Sequence, residues 1–230
     1  LALTISTASV GTIADATGIG TIIDNDASTV TYGKAATLAG TVNSFLYRSD
    51  ALADGPAYDR ANRQDGWTIE MWVKTTDVAN GSGNEIQFLS SKGVNSSAEY
   101  GSALYLKDSS GSANEWVLTF AGEKVTTGVN GWDTGGRITE NAWEHVALTY
   151  DTGANNIKAY VNGSLTGTQK TASAAIADIG HPTSFGGDVQ AGAAAENYAF
   201  TGQFDDIRYW DGVRTAGEIN ANKKVSLRGD

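Results

Sequence analysis

The stretch Val129-Asn130-Gly131-Trp132-Asp133-Thr134-Gly135-Gly136 sets an indole beside a carboxylate, an amide and a hydroxyl on glycine-rich backbone. That set of groups suits sugar recognition. An aromatic face stacks on the C–H side of a pyranose, while carboxylate, amide and backbone groups read its hydroxyls. Trp132 and Asp133 are therefore the leading ligand-binding candidates, and the alternative is an indole folded back onto the core. Tyr100 and Tyr198, each beside loop acids and amides, are weaker candidates of the same kind. Patterns for catalysis are missing: Glu140 and Glu144 lie four apart around the start of a core strand, and His145 and His181 have no nucleophile pattern beside them. No Gly-x-Ser-x-Gly elbow, His-Glu-x-x-His pair or phosphate loop occurs. The residues predict a protein that binds, not an enzyme.

Composition narrows the partners. Twenty-six acidic against sixteen basic residues give a net charge of −10, which argues against nucleic acid, because neutralising phosphates needs a Lys/Arg surface. Two readings of the acidity stay open: solubility, and a supply of oxygen ligands for a hard cation such as Ca²⁺. With no cysteine there is no disulfide and no thiolate metal site, yet calcium can take the place of disulfides in a large surface protein. No apolar run approaches the roughly 18–20 residues of a membrane span, so no membrane insertion is expected. No basic-then-apolar leader opens the chain, which predicts a mature segment or a piece of a longer protein.

Short runs that alternate apolar and polar residues must position these groups. Strands are predicted at Leu38–Tyr47, Trp67–Lys74, Glu85–Ser90, Ser102–Lys107, Glu115–Phe120, Trp143–Tyr150, Asn156–Val161, Ser164–Thr168 and Gln203–Trp210. In Trp67–Lys74, Trp67, Ile69, Met71 and Val73 share one face, and Thr68, Glu70, Trp72 and Lys74 the other. Asn162-Gly163 is a hairpin turn, because that pair tolerates positive φ at both centres. Strands at intervals of roughly ten residues predict an all-β, antiparallel two-sheet sandwich, with one helical stretch at Ala216–Asn222. Thr76–Asn84, Gly93–Gly101, Asp108–Asn114, Gly128–Arg137 and Asp178–Asn197 read as loops. The other tryptophans, Trp67, Trp72, Trp116, Trp143 and Trp210, fall in strand patterns and are expected to pack. Residues 1–27 are too few to bury a core and read as the terminal strands of a preceding repeat or a linker, or as strands added to the main sheet, before a domain of residues 28–230.

Trp67–Lys74, the Trp143-Glu144-His145-Val146 strand start, the Val161-Asn162-Gly163 turn and the closing Gly202-Gln203-Phe204-Asp205-Asp206-Ile207-Arg208-Tyr209-Trp210 together resemble a laminin-G/pentraxin-like domain. Such domains are sandwiches of the concanavalin A type, a jelly roll that mostly binds ligands, often sugars and often with calcium. The resemblance implies a structural role for His145 and a buried structural Ca²⁺ at Asp205, with Asp206 as an exposed alternate. Glucanases of this fold carry a Glu-x-Asp-x-x-Glu strand, which this chain lacks. The stretch from Ile179-Gly180 through Ser184-Phe185-Gly186-Gly187 to Phe200 is similar to the segment before the pentraxin closing strand. There His181-Pro182-Thr183 stands where acids would form a double calcium site, leaving one Ca²⁺ held by Asp188, Asp178, Asn95 or Glu99 as the expectation, with a metal-free polar rim as its alternative.

Gly18–Asp26 resembles the last strand of a Calx-β-like repeat from bacterial adhesins, which implies calcium at Asp24 and Asp26. The expectation is a calcium-assisted lectin module of a secreted or surface bacterial adhesin, binding a cell-surface glycan or glycoprotein. Within the longer chain it is expected to be monomeric. Ligand contact falls to Trp132, Asp133, Asn95, Glu99, Asp178 and Asp188, and metal to Asp205, Asp188, Asp24 and Asp26. Alternatives are a peptide-binding module on the same rim and a calcium-stiffened spacer.

Overall fold

A computed structural model describes residues 35–40, 45–48, 66–77, 79, 85–92, 102–110, 115–122, 125, 131–173, 176, 183–190, 193–195 and 198–225. Its strands are β1 (Ala36–Ala39), β2 (Leu46–Arg48), β3 (Trp67–Thr75), β4 (Ile86–Lys92), β5 (Ser102–Asp108), β6 (Glu115–Gly122), β7 (Trp132–Thr139) and β8 (Glu144–Asp151). They continue as β9 (Asn156–Val161), β10 (Ser164–Leu165), β11 (Lys170–Thr171), β12 (Thr183–Phe185), β13 (Asp188–Gln190), β14 (Ala193–Ala195) and β15 (Thr201–Asp211), followed by helix α1 (Ala216–Asn222).

Two antiparallel sheets result. One runs β1-β15-β3-β8-β9-β10, with β11 also on β9, and the other runs β2-β12-β4-β5-β6-β7. The period-2 pattern of β3 explains the layering: Ile69, Met71 and Val73 are buried between the sheets, facing Leu104, Leu106, Trp116, Leu118 and Phe120 of the second sheet in one core. Phe200 and Phe204 stack at 4.5 Å within it. Asn162 and Gly163 take φ of 54° and 82° at the β9–β10 turn, as the Asn-Gly pair predicts.

Three expectations change. The predicted strand Leu38–Tyr47 is two strands in different sheets, because β1 pairs with β15 and β2 with β12. The predicted loop Asp178–Asn197 contains β12 and the β13–β14 hairpin. The predicted loop Gly128–Arg137 contains most of β7, the edge strand of the second sheet. Residues 1–27, with Asp24 and Asp26, lie outside the described residues.

Helix α1 opens with a capping box between Thr215 and Glu218 and buries one residue, Ile219, against Ala147 and Tyr160 on the outer face of the first sheet. No helix among the described residues is long and apolar enough to cross a membrane.

Candidate functional site

Register places four residues in one row across the outer face of the second sheet. Phe88 pairs with Tyr105, Tyr105 with Thr119, and Thr119 with Asp133. At the usual inter-strand spacing this row spans roughly 14 Å. Its apolar end is a patch of Phe88, Ala103, Tyr105 and Ala121, with Tyr198 packed against it. Tyr198 sits 5.1 Å from Phe88 by ring centroids, and its carbonyl accepts the Phe88 N–H at 2.9 Å. It holds a left-handed φ of 68° and is half-buried, so part of the residue remains in solvent.

The Tyr105 hydroxyl accepts the Gly131 N–H at 2.8 Å. Gly131 must be glycine for this approach, since a Cβ there would lie 2.4 Å from that hydroxyl and 2.7 Å from the Phe120 carbonyl. Burial pushes the Tyr105 phenol up to about 12, the Gly131 hydrogen bond offsetting part of the rise.

At the other end the exposed Asp133 carboxylate accepts Arg137 at 3.0 and 3.2 Å and the Gly135 N–H at 2.7 Å. Arg137 also reaches Glu115 at 3.3 Å. The edge thus presents one cation between two carboxylates, a fixed set of donors and acceptors. Trp132 pairs with Phe120 on the core side, and its half-buried ring packs against the core. The indole and carboxylate adjacent in sequence therefore point to opposite faces of β7. Trp143, expected to pack, is 39% exposed just before β8. Trp67 and Trp116 are buried, and Trp72 and Trp210 are half-buried.

Asp205, expected at a buried Ca²⁺, is exposed on β15. The cause is a β-bulge between Asp205 and Arg208, where Asp206 takes a φ of 48°. Counting back by twos from the core residue Ile207 turns Asp205 inward; the bulge resets the alternation and turns it out. Asp206 is the half-buried one of the pair and bonds Arg208 at 3.3 Å. Asp188 opens β13, while Asn95, Glu99 and Asp178 lie outside the described residues. Among the described residues no three His, Asp or Glu side chains are grouped to hold a metal ion.

A buried polar cluster on the outer face of the first sheet escaped the sequence reading of function. Glu70, His145 and Arg208 are buried under α1 and the turn after it. Glu70 accepts the Trp210 indole N–H at 2.9 Å and Arg208 at 3.4 Å, and its second oxygen is 3.7 Å from His145 Nε2. Burial holds the Glu70 carboxyl above its usual range, opposed by the Trp210 hydrogen bond and the Arg208 charge. Burial, with the Arg208 and Lys223 charges, pushes His145 down to about 3. The available signal was an acid, a histidine and an arginine on the polar faces of three apolar strands. The three side chains tie β3, β8 and β15 together on this face.

Two antiparallel sheets stacked on one core define a concanavalin A-like β-sandwich. The chain belongs to the concanavalin A-like lectin/glucanases superfamily, whose Laminin_G_3 family profile matches residues 50–220. No curated protein matches the chain. Among solved structures it is similar to a heptameric pentraxin from Limulus polyphemus (16% identity, 84% of this chain and 82% of that one, TM-score 0.59). Domain 4 of an extracellular arabinanase from Geobacillus stearothermophilus, in complex with arabinotriose, is similar at 18% identity (89% and 86% covered, TM-score 0.52). So is a sialidase carbohydrate-binding module from Ruminococcus gnavus bound to α2,3-sialyllactose, at 20% identity (82% and 96% covered, TM-score 0.54).

Proposed function

We propose that this chain is a non-catalytic carbohydrate-binding module whose ligand lies along the outer face of the six-stranded sheet. The observation that carries the reading is that half-buried Tyr198 and the solvent-facing Asp133–Arg137–Glu115 set share the outer face, held in place by the buried row Phe88–Tyr105–Thr119. Tyr198 is the stacking ring, and Asp133, Arg137 and Glu115 read hydroxyls at the β7 edge. Two structures of this fold that hold oligosaccharides, arabinotriose in one and sialyllactose in the other, support the reading.

The finer proposal is a calcium-assisted module of a surface adhesin that attaches to cell-surface glycans. It is supported by the acidic balance, by the oxygen-bearing side chains of Asn95, Glu99, Asp178 and Asp188 in the sequence, and by the resemblance of Gly18–Asp26 to an adhesin repeat. A glycan array in millimolar Ca²⁺ and again in EDTA tests both. Hits lost in EDTA support calcium assistance, and hits that survive keep the lectin without it. A blank array on folded protein overturns the carbohydrate reading in favour of a peptide partner or a spacer.

A further inference from the structure

Helix α1 is lightly attached. Its seven residues are too few to stay helical alone, and one apolar side chain, Ile219, anchors it. The rest of the attachment is polar and converges on the carbonyls that end the helix. Arg208 donates to the Asn222 carbonyl at 2.5 Å and to the Val225 carbonyl, and the Trp72 indole donates to the Lys223 carbonyl at 3.0 Å. Lys223 in turn donates to the Asn162 carbonyl, and Asn162 brackets the His145 backbone by accepting its N–H at 3.0 Å and donating to its carbonyl at 2.7 Å. Before the helix the chain is pinned more firmly. Thr68 donates to the Gly212 carbonyl and accepts the Arg214 N–H, both at 2.9 Å. The chain is therefore held most firmly just before Thr215.

Under this cover lies the His145 imidazole, 1% exposed, with Nδ1 lacking a hydrogen-bond partner among the described residues. The charged groups facing it are Glu70 from β3, Arg208 with Asp206 from β15, and Lys223 from the turn after α1, with Arg214 and Lys224 farther out. A proton on His145 would put a third cation beside Arg208 and Lys223; Arg208 and Trp210 both engage one Glu70 oxygen, and the other, 3.7 Å from Nε2, would leave one buried carboxylate facing all three.

We propose that α1 and Lys223–Val225 form an acid-released cover, which lifts from the first sheet when His145 takes up a proton and bares Trp72, Tyr160 and Arg208. The sign is fixed by linkage. Closed, His145 resists protonation down to about 3; open, it titrates at its ordinary value near 6.5. Opening therefore binds a proton, and the open population rises by up to about tenfold per unit as pH falls below about 6.5. Glu70 works the other way, because closure favours its protonated form, and it makes the slope shallower toward the acid end.

Hydrogen exchange of the whole chain between pH 7.5 and 5.0, corrected for intrinsic rates, tests this. Protection at residues 219–225 should fall by up to about 30-fold from pH 7.5 to 5.0, while β3 and β8 stay protected. His145→Gln should abolish the loss of protection on acidification, leaving at most the shallow opposite slope of Glu70. If that variant does not fold, the native His145 ring titration read by NMR decides, and it should lie well below 6.5. Flat protection in the native chain, an unchanged slope in His145→Gln, or a His145 titration at or above 6.5 would each overturn the proposal.

Discussion

The Tyr105 hydroxyl and the Gly131 amide meet at 2.8 Å, tying the aromatic patch on β5 to the backbone that enters edge strand β7. The tie runs across β6, so the ring and the Asp133 end of the row cannot shift independently. Tyr105 is buried, whereas Tyr198 keeps part of its surface in solvent. One tyrosine positions, and the other is free to contact.

Tyr105→Phe separates these roles. Phenylalanine keeps the ring but removes the acceptor of the Gly131 N–H, at a cost of about 1 kcal/mol. The urea midpoint should fall with an unchanged slope, since packing and exposed surface on unfolding are nearly the same. Gly131→Ala should cost more, because its Cβ lies within 3 Å of two backbone or side-chain oxygens.

The same phenol gives the fold an alkaline weakness. Its folded value of about 12 lies above the ordinary tyrosine value of 10, so the folded state keeps a proton that the unfolded state gives up. The contribution is fully present below pH 10 and is lost as pH rises from 10 through 12. Urea denaturation from pH 9 to 11.5 should show native stability falling more steeply than that of Tyr105→Phe. Parallel curves would contradict the assignment.

Much of this architecture is legible in the residues. Strict alternation over Trp67–Lys74 yields β3 and its buried face, and the limits of β9 and α1 coincide with Asn156–Val161 and Ala216–Asn222. Strand β7 is hidden because Gly131, Gly135 and Gly136 carry no β signal. They are there for close approach: a Cβ on Gly135 would lie 3.0 Å from Gly167, and one on Gly136 3.0 Å from Val161. The orientation of Asp205 depends on a bulge that alternation cannot register. Tyr105 could have been found. In Ser102–Lys107, Leu104 and Leu106 mark the core face, so an aromatic between them marks an outer face with its own apolar patch.

Removing one partner of the buried pair Glu70–Arg208 should hurt far more than removing both. Arg208→Met leaves the Glu70 carboxylate buried beside His145 and strips two donors from the end of α1. A loss of about 3–5 kcal/mol is expected, seen as a lower Tm. The double variant Glu70→Leu with Arg208→Met should recover part of it, because no uncompensated charge is left behind. A double-mutant cycle with no coupling would show that the pair does not act as a unit.

For the ligand, the decisive comparison is Tyr198→Ala against Trp132→Ala. Trp132, adjacent in sequence to Asp133, would be the natural stacking ring, but its side chain packs on the core side of β7. Tyr198 lies against Phe88 on the same face as the Asp133–Arg137–Glu115 set. Tyr198→Ala should therefore weaken binding of an array-selected oligosaccharide by about tenfold or more with little change in Tm, the scale of one lost aromatic contact. Trp132→Ala should show the reverse, a lower Tm with affinity nearly kept. Calorimetric titration of both variants against one glycan reads the two effects side by side. Loss of affinity in Trp132→Ala alone would move the binding face from the outer side of the second sheet to the rim.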